Sequence, residues 1–161
     1  MTSFKLKNKY LVSLGSWLNE LSLQGNESRE RTRFVNMLIE RINENEKFRT
    51  ELLDKYVNKD ESGQKKKTTN PETKEEVWDI SEHNMNEYIR EYSELMEEDY
   101  VMDILEGNKQ KLKVMKEAVL NTKYIFGPQE VDTPQEKLAK LRQMNDYEIW
   151  CQAFESVDFK D

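Results

Sequence analysis

The amino-acid sequence predicts a mainly α-helical fold: a helical hairpin packed on further helices, with a small β-hairpin insertion. Three observations carry this. Apolar side chains recur at steps of three and four over several long stretches, which is the spacing of one helical face. The chain has only three prolines and five glycines, too few for a loop-rich or all-β protein. Its sixteen aromatic residues recur at helical spacing, whereas a disordered chain would be depleted in them.

A chain of 161 residues is expected to form a single domain, 1–161, of which residues 5–57 form the hairpin, 64–80 a β-hairpin arm and 82–158 the C-terminal helices. Charged residues make up 35% of the chain and hydrophobic ones 36%, so the core must be built economically from the apolar stripes.

The first stripe is Leu6, Tyr10, Leu14, Trp17, Leu18 and Leu21, a helix of four to five turns weakened by Gly15 in its interior. Gly25-Asn26 supplies the stop, since both residue types tolerate a left-handed backbone. Ser28 is placed to cap the next helix by accepting a free backbone N–H. Phe34, Leu38, Ile42, Phe48, Leu52 and Tyr56 give that second helix a broad apolar stripe, interrupted by the polar run at 43–47. Two helices joined by so few residues fold back on each other.

Asn70-Pro71 initiates a turn between a lysine-rich arm, Lys65-Lys66-Lys67, and a glutamate-bearing one, Glu75-Glu76. The two arms face each other with opposite charge across a β-hairpin. Such a hairpin is marginal alone, so Val77 and Trp78 must dock on helices or leave a mobile arm. Ser81 caps a third helix whose apolar face is Met85, Tyr88, Ile89, Tyr92, Leu95 and Met96. Residues 99–106 fit either a continuation of that helix or a short strand. A fourth helix runs over 109–121 through Leu112, Met115 and Val119. An apolar knot at Tyr124, Ile125 and Phe126 precedes the break at Gly127-Pro128. Thr133-Pro134-Gln135-Glu136 is a capping box with proline at the first helical position. The fifth helix extends to about Met144, with a break at Asn145-Asp146 before a last stripe of Tyr147, Trp150, Cys151, Phe154 and Val157.

The formal net charge of −7 is unevenly spread. Residues 81–106 hold one arginine against nine acidic side chains, while 107–123 hold five lysines against one glutamate. Within the acidic block, Glu87, Glu91, Glu94 and Glu98 are candidate partner-binding residues, competing with the plainer role of a solvated face. Arg29, Arg31 and Arg33 fall in the first two turns of the second helix, where cations oppose the helix dipole. They are therefore also candidate partner-binding residues, for a carboxylate surface or a phosphate backbone of a partner, or for the acidic helix of the same chain or a neighbouring copy. A sequence pI near 5.0 disfavours direct nucleic-acid binding.

Signals of catalysis are sparse. The one histidine, His83, lies beside a helix cap with no positioned partner in sequence. One Cys and one His cannot build the usual zinc sites, and no calcium-type loop or Gly-rich phosphate loop is present. Cys151 lies on an apolar stripe, where a cysteine serves as a small core residue. No catalytic, metal or cofactor residues are assigned, and no enzyme is expected. A single cysteine fits a reducing compartment, and neither an export signal nor a membrane span is evident.

Three groups of residues carry a resemblance. They are Leu21, Leu23, Gly25, Ser28, Arg29, Arg31, Thr32, Arg33 and Phe34; Tyr56, Lys59, Asp60, Glu61 and Gly63; and Tyr147, Glu148, Trp150, Cys151, Ala153, Phe154 and Glu155. The chain resembles a family of small uncharacterised proteins of tailed phages and prophages of Gram-positive bacteria. The likeness spans the N-terminal hairpin and the C-terminal helix and omits roughly 64–135. It implies a phage protein in the bacterial host cytoplasm and supplies no site residues. Together these readings lead to the expectation of a non-enzymatic protein acting through protein–protein contacts, self-association being one form of them. An accessory or assembly factor is the first expectation, and an acidic inhibitor binding a basic surface of a host protein the alternative.

Overall fold

The computed structural model describes residues 3–121 and 133–159. The fold is mainly helical, with five α-helices and two two-stranded antiparallel sheets among these residues. The chain divides into two compact units, one built from Met1–Ile42 with Asp99–Asp161 and the other from Asn43–Glu98. Among the described residues no helix is long and apolar enough to cross a membrane.

The larger unit opens with a strand. β1 (Ser3–Lys7) pairs antiparallel with β4 (Asp99–Asp103), setting Phe4 opposite Met102 and Leu6 opposite Tyr100. Phe4, Leu6 and Met102 point into the core, as alternation along a strand requires. Leu6 and Tyr10 are thus not the first turn of a long helix. Their four-residue spacing looks helical, but pairing with a segment far along the chain claims the backbone of β1. A 3-10 turn at Asn8–Tyr10 then leads into α1 (Leu11–Glu20), which buries Leu11, Leu14, Gly15, Trp17 and Leu18.

α2 (Gly25–Tyr56) starts at Gly25, whose φ of +56° only glycine adopts readily. The helix is already formed where Ser28 stands, so Ser28 is not its cap. The Ser28 carbonyl accepts from Thr32 Oγ1 at 3.1 Å and its hydroxyl from Arg31 Nη2 at 3.4 Å. Phe34, Val35 and Leu38 from α2 join the core with Leu112, Val114, Met115 and Val119 from α4 (Glu106–Asn121).

α5 (Pro134–Glu155) begins with the predicted capping box. Thr133 Oγ1 accepts from the Glu136 N–H at 3.2 Å, and the Thr133 N–H donates to the Glu136 carboxylate at 3.0 Å. The helix runs without a break through Asn145-Asp146. Asn and Asp cost a helix only about 0.7 kcal/mol each relative to Ala. Burying Trp150 and Phe154, which are 1% and 0% exposed, outweighs that cost. The apolar knot at 124–126 and its break at 127–128 lie outside the described residues.

Aromatic rings organise this core. Phe4, Phe34 and Phe154 meet with ring centroids 4.8–5.6 Å apart. Trp17 packs on Trp150 at 5.2 Å and edge-on to Tyr147 at 5.3 Å, separations at which such pairs attract beyond their area burial.

The second unit holds the last turns of α2, a hairpin and one helix. β2 (Lys67–Thr69) pairs antiparallel with β3 (Glu76–Trp78), as the charged arms predicted. Lys67 Nζ bonds the Glu76 carboxylate at 3.0 Å and lies 5.2 Å from the centre of the Trp78 ring. Asn70 Oδ1 turns the chain between them by accepting from the N–H groups of Glu72 and Thr73. Val77 and Trp78 remain 38% and 39% exposed. α3 (Glu82–Glu97) is capped by Ser81, whose hydroxyl accepts from the Asn84 N–H at 3.2 Å. Residues 99–103 are strand β4, which settles the helix-or-strand ambiguity there.

Candidate functional site

Charge follows the division into units. Asn43–Glu98 carries sixteen acidic and nine basic side chains, while the remainder of the chain carries sixteen of each. The whole net charge of −7 therefore belongs to the smaller unit.

Within that unit, polar bonds tie α3 to the end of α2. Glu91 is the centre of this clamp: its carboxylate accepts from Lys55 Nζ at 2.9 Å and from the Tyr56 hydroxyl. The Tyr56 hydrogen bond first, and then Lys55, hold the Glu91 carboxyl below the usual carboxylate range. Asn84 Nδ2 adds a bond to the Tyr56 carbonyl at 3.3 Å. The turn after α2 is held by Asp60, whose carboxylate accepts from the Ser62 hydroxyl and from the N–H groups of Ser62 and Gln64. Those bonds, the Ser62 hydroxyl foremost, lower its pKa.

Beside the clamp, Phe48 and Leu95 with Arg90, Glu91, Glu94 and Glu98 line a groove of about 320 Å³. Phe48 is 40% exposed, so its ring is offered to whatever enters. Arg90 bonds Glu87 at 2.7 Å and Glu94 at 3.1 Å, one turn to either side along α3. Its hydrogen bond and charge hold the Glu87 carboxyl low. Three of the four predicted glutamates, Glu91, Glu94 and Glu98, thus meet at one groove, and Glu87 connects to it through Arg90. In the sequence Phe48 belongs to the same apolar stripe as Phe34 and Leu38. Its place at the edge of the polar run 43–47 was the one signal that it sits differently from Phe34.

The three arginines do not form one site. The Arg31 guanidinium donates to the carbonyls of Leu21 at 2.5 Å and Leu18 at 3.4 Å at the C-terminal end of α1, alongside the backbone N–H groups of Leu23 and Leu21. Its charge opposes the dipole of its own helix but complements that of the helix before it. Arg33 pairs with Glu30 at 2.5 Å and satisfies a carboxylate whose side chain is only 4% exposed. Arg29 is exposed on the surface of α2.

The larger unit has a wider cavity, about 620 Å³, between α1 and α5, lined among others by Ser13, Trp17, Arg142, Asp146 and Trp150. Near it, burial pushes the Tyr147 hydroxyl up to about 12 and raises the Cys151 thiol, so both stay protonated at neutral pH. A neutral thiol is a poor nucleophile. His83 is exposed in the first turn of α3. Among the described residues no group of three His, Cys, Asp or Glu side chains is gathered so as to hold a metal ion. Comparison of the chain with protein-family models, curated proteins and solved structures finds no match.

Proposed function

We propose that this chain is a non-enzymatic phage protein of the host cytoplasm that acts through protein–protein contacts, with the acidic unit Asn43–Glu98 as its contact surface. The observation that carries the reading is the confinement of the entire net charge to that unit. A surface of this kind steers a basic partner and repels nucleic-acid phosphate. The phage setting comes from the sequence resemblance. An accessory or assembly role is supported by apolar side chains left at the surface of the other unit, where Leu138, Leu141 and Met144 recur every third residue along α5. The second reading, inhibition of a host protein with a basic surface, is favoured by the groove in which Glu91, Glu94 and Glu98 meet.

Affinity capture with the tagged full chain, from infected and uninfected Gram-positive host cells at low and high salt, tests this. The double variant Glu94→Lys with Glu98→Lys serves as the control. A host protein captured from both cell types and lost in high salt or with the variant supports inhibition. Capture of phage particle proteins, weakened by the same variant, supports assembly. Capture indifferent to both salt and charge reversal removes the acidic unit from the function.

A further inference from the structure

We infer that the outer face of α3 is a docking surface for a basic amphipathic helix of a partner protein, an inference that rests on the acidic-contact reading above. α3 has six large apolar side chains, yet buries none of its sixteen residues. At 100° per residue, Tyr88 and Leu95 fall at the centre of the half-buried side of the helix. Met85, Ile89, Tyr92 and Met96 form a row to one side of them. Ile89 is 52% exposed and Met85 36%. Tyr92 and Met96 are half-buried, so the row runs from the covered side of the stripe to an exposed edge at Met85 and Ile89. A helix with a wide apolar stripe is stable when the whole stripe is covered, and the i, i+4, i+7, i+11 spacing of this row is the pattern by which one helix receives another.

Charge selects the occupant. Glu82, Asn86, Ser93 and Glu97 border the row on its solvent side, all exposed, within a unit whose net charge is −7. A second copy would bring a further −7 against the same face. A helix with apolar residues on one side and lysine or arginine on its flanks meets the row with its apolar side and the bordering carboxylates with its cations.

The test uses the full chain and a labelled synthetic amphipathic helix with leucine on one side and lysine on the other. A peptide with the same leucines and glutamate for lysine is the control. The substitutions Met85→Ser and Ile89→Ser, made together, leave the charge unchanged and replace two exposed side chains; circular dichroism checks that the helices persist. The lysine peptide is expected to bind the native chain, and the double variant to weaken it by on the order of tenfold or more, as losing two apolar anchors implies. Equal binding by the glutamate peptide, or undiminished binding to the variant, overturns the inference. So does a native chain that sediments as a dimer which the variant dissolves, because a second copy then occupies the face. Cellular capture separates the two levels. If charge reversal at Glu94 and Glu98 weakens capture and the serine variant does not, the acidic unit stands and this face falls. If neither changes capture, both fall.

Discussion

Arg31 closes the C-terminal end of α1 by donating to the Leu21 carbonyl at 2.5 Å, across the turn that separates the two helices. Hydrogen bonds from a charged donor contribute about 1.5–3 kcal/mol when partly shielded from water. Arg31→Ala is expected to destabilise the chain by about 1–2 kcal/mol in urea unfolding, because it leaves the carbonyls of Leu18 and Leu21 without this donor. Arg29→Ala, an exposed position on the same helix, should stay within about 0.5 kcal/mol. Equal effects at the two sites would mean that the arginines matter only as surface charge.

Gly15 is buried in the interior of α1, beside Leu38 of α2. A Cβ built there would meet Leu38 Cδ1 at 4.0 Å, an ordinary van der Waals distance. Alanine costs a helix interior about 0.5–1 kcal/mol less than glycine. Gly15→Ala is therefore expected to raise stability by about that amount, read as a higher midpoint in urea at unchanged slope. A lower midpoint would show that the contact with α2 is tighter than the distance implies.

Local chemistry was the most legible part of the sequence. The Thr133–Glu136 capping box, the Ser81 cap and the Asn70 turn all depend on residues within four positions of each other. The helical character of the fold and the β2–β3 hairpin were readable for the same reason. What escaped depends on distant partners. The strand β1 needs β4 for its hydrogen bonds, so Leu6 passed for a helical residue. Arg31 looked misplaced because its carbonyl partners belong to the preceding helix. Asn145-Asp146 has the local propensity of a break, which the burial of Trp150 and Phe154 further along the helix overrides. At the candidate site, the glutamates were visible as a charge run, but Phe48, which gives the groove its apolar edge, was not. That all of the net charge resides in one unit emerged only with the unit boundaries.

Burial predicts unequal local stability. One core cluster in the larger unit contains eighteen buried apolar residues, whereas the buried apolar side chains of Asn43–Glu98 are Leu52, Leu53 and Val57. Sub-global opening free energy follows buried apolar contact. Amides of α3 are expected to exchange with deuterium through an opening of lower free energy than those of Leu14, Leu38 and Met115. Protection of α3 equal to that of the core helices would mean that the chain unfolds as one cooperative body.

The Glu91 clamp should appear as a pH dependence of stability. Its folded pKa is depressed, mainly by the Tyr56 hydroxyl and then by Lys55. A carboxyl of this kind contributes stability that is fully present above the unfolded value, about 4.3, and is lost as pH falls through the depressed folded value. Glu91→Gln keeps the shape and removes the titration. The variant should melt below the native chain at neutral pH, and the difference should shrink as pH is lowered from about 5 toward 2, because both proteins then present a neutral side chain to Tyr56 and Lys55. Asp60, Glu46 and Glu87 also have lowered values, so both proteins lose stability in acid. Only the difference between the two melting curves isolates Glu91. A difference that stays constant across that range would place the importance of Glu91 in its shape, and Tyr56→Phe would then leave the acid profile unchanged.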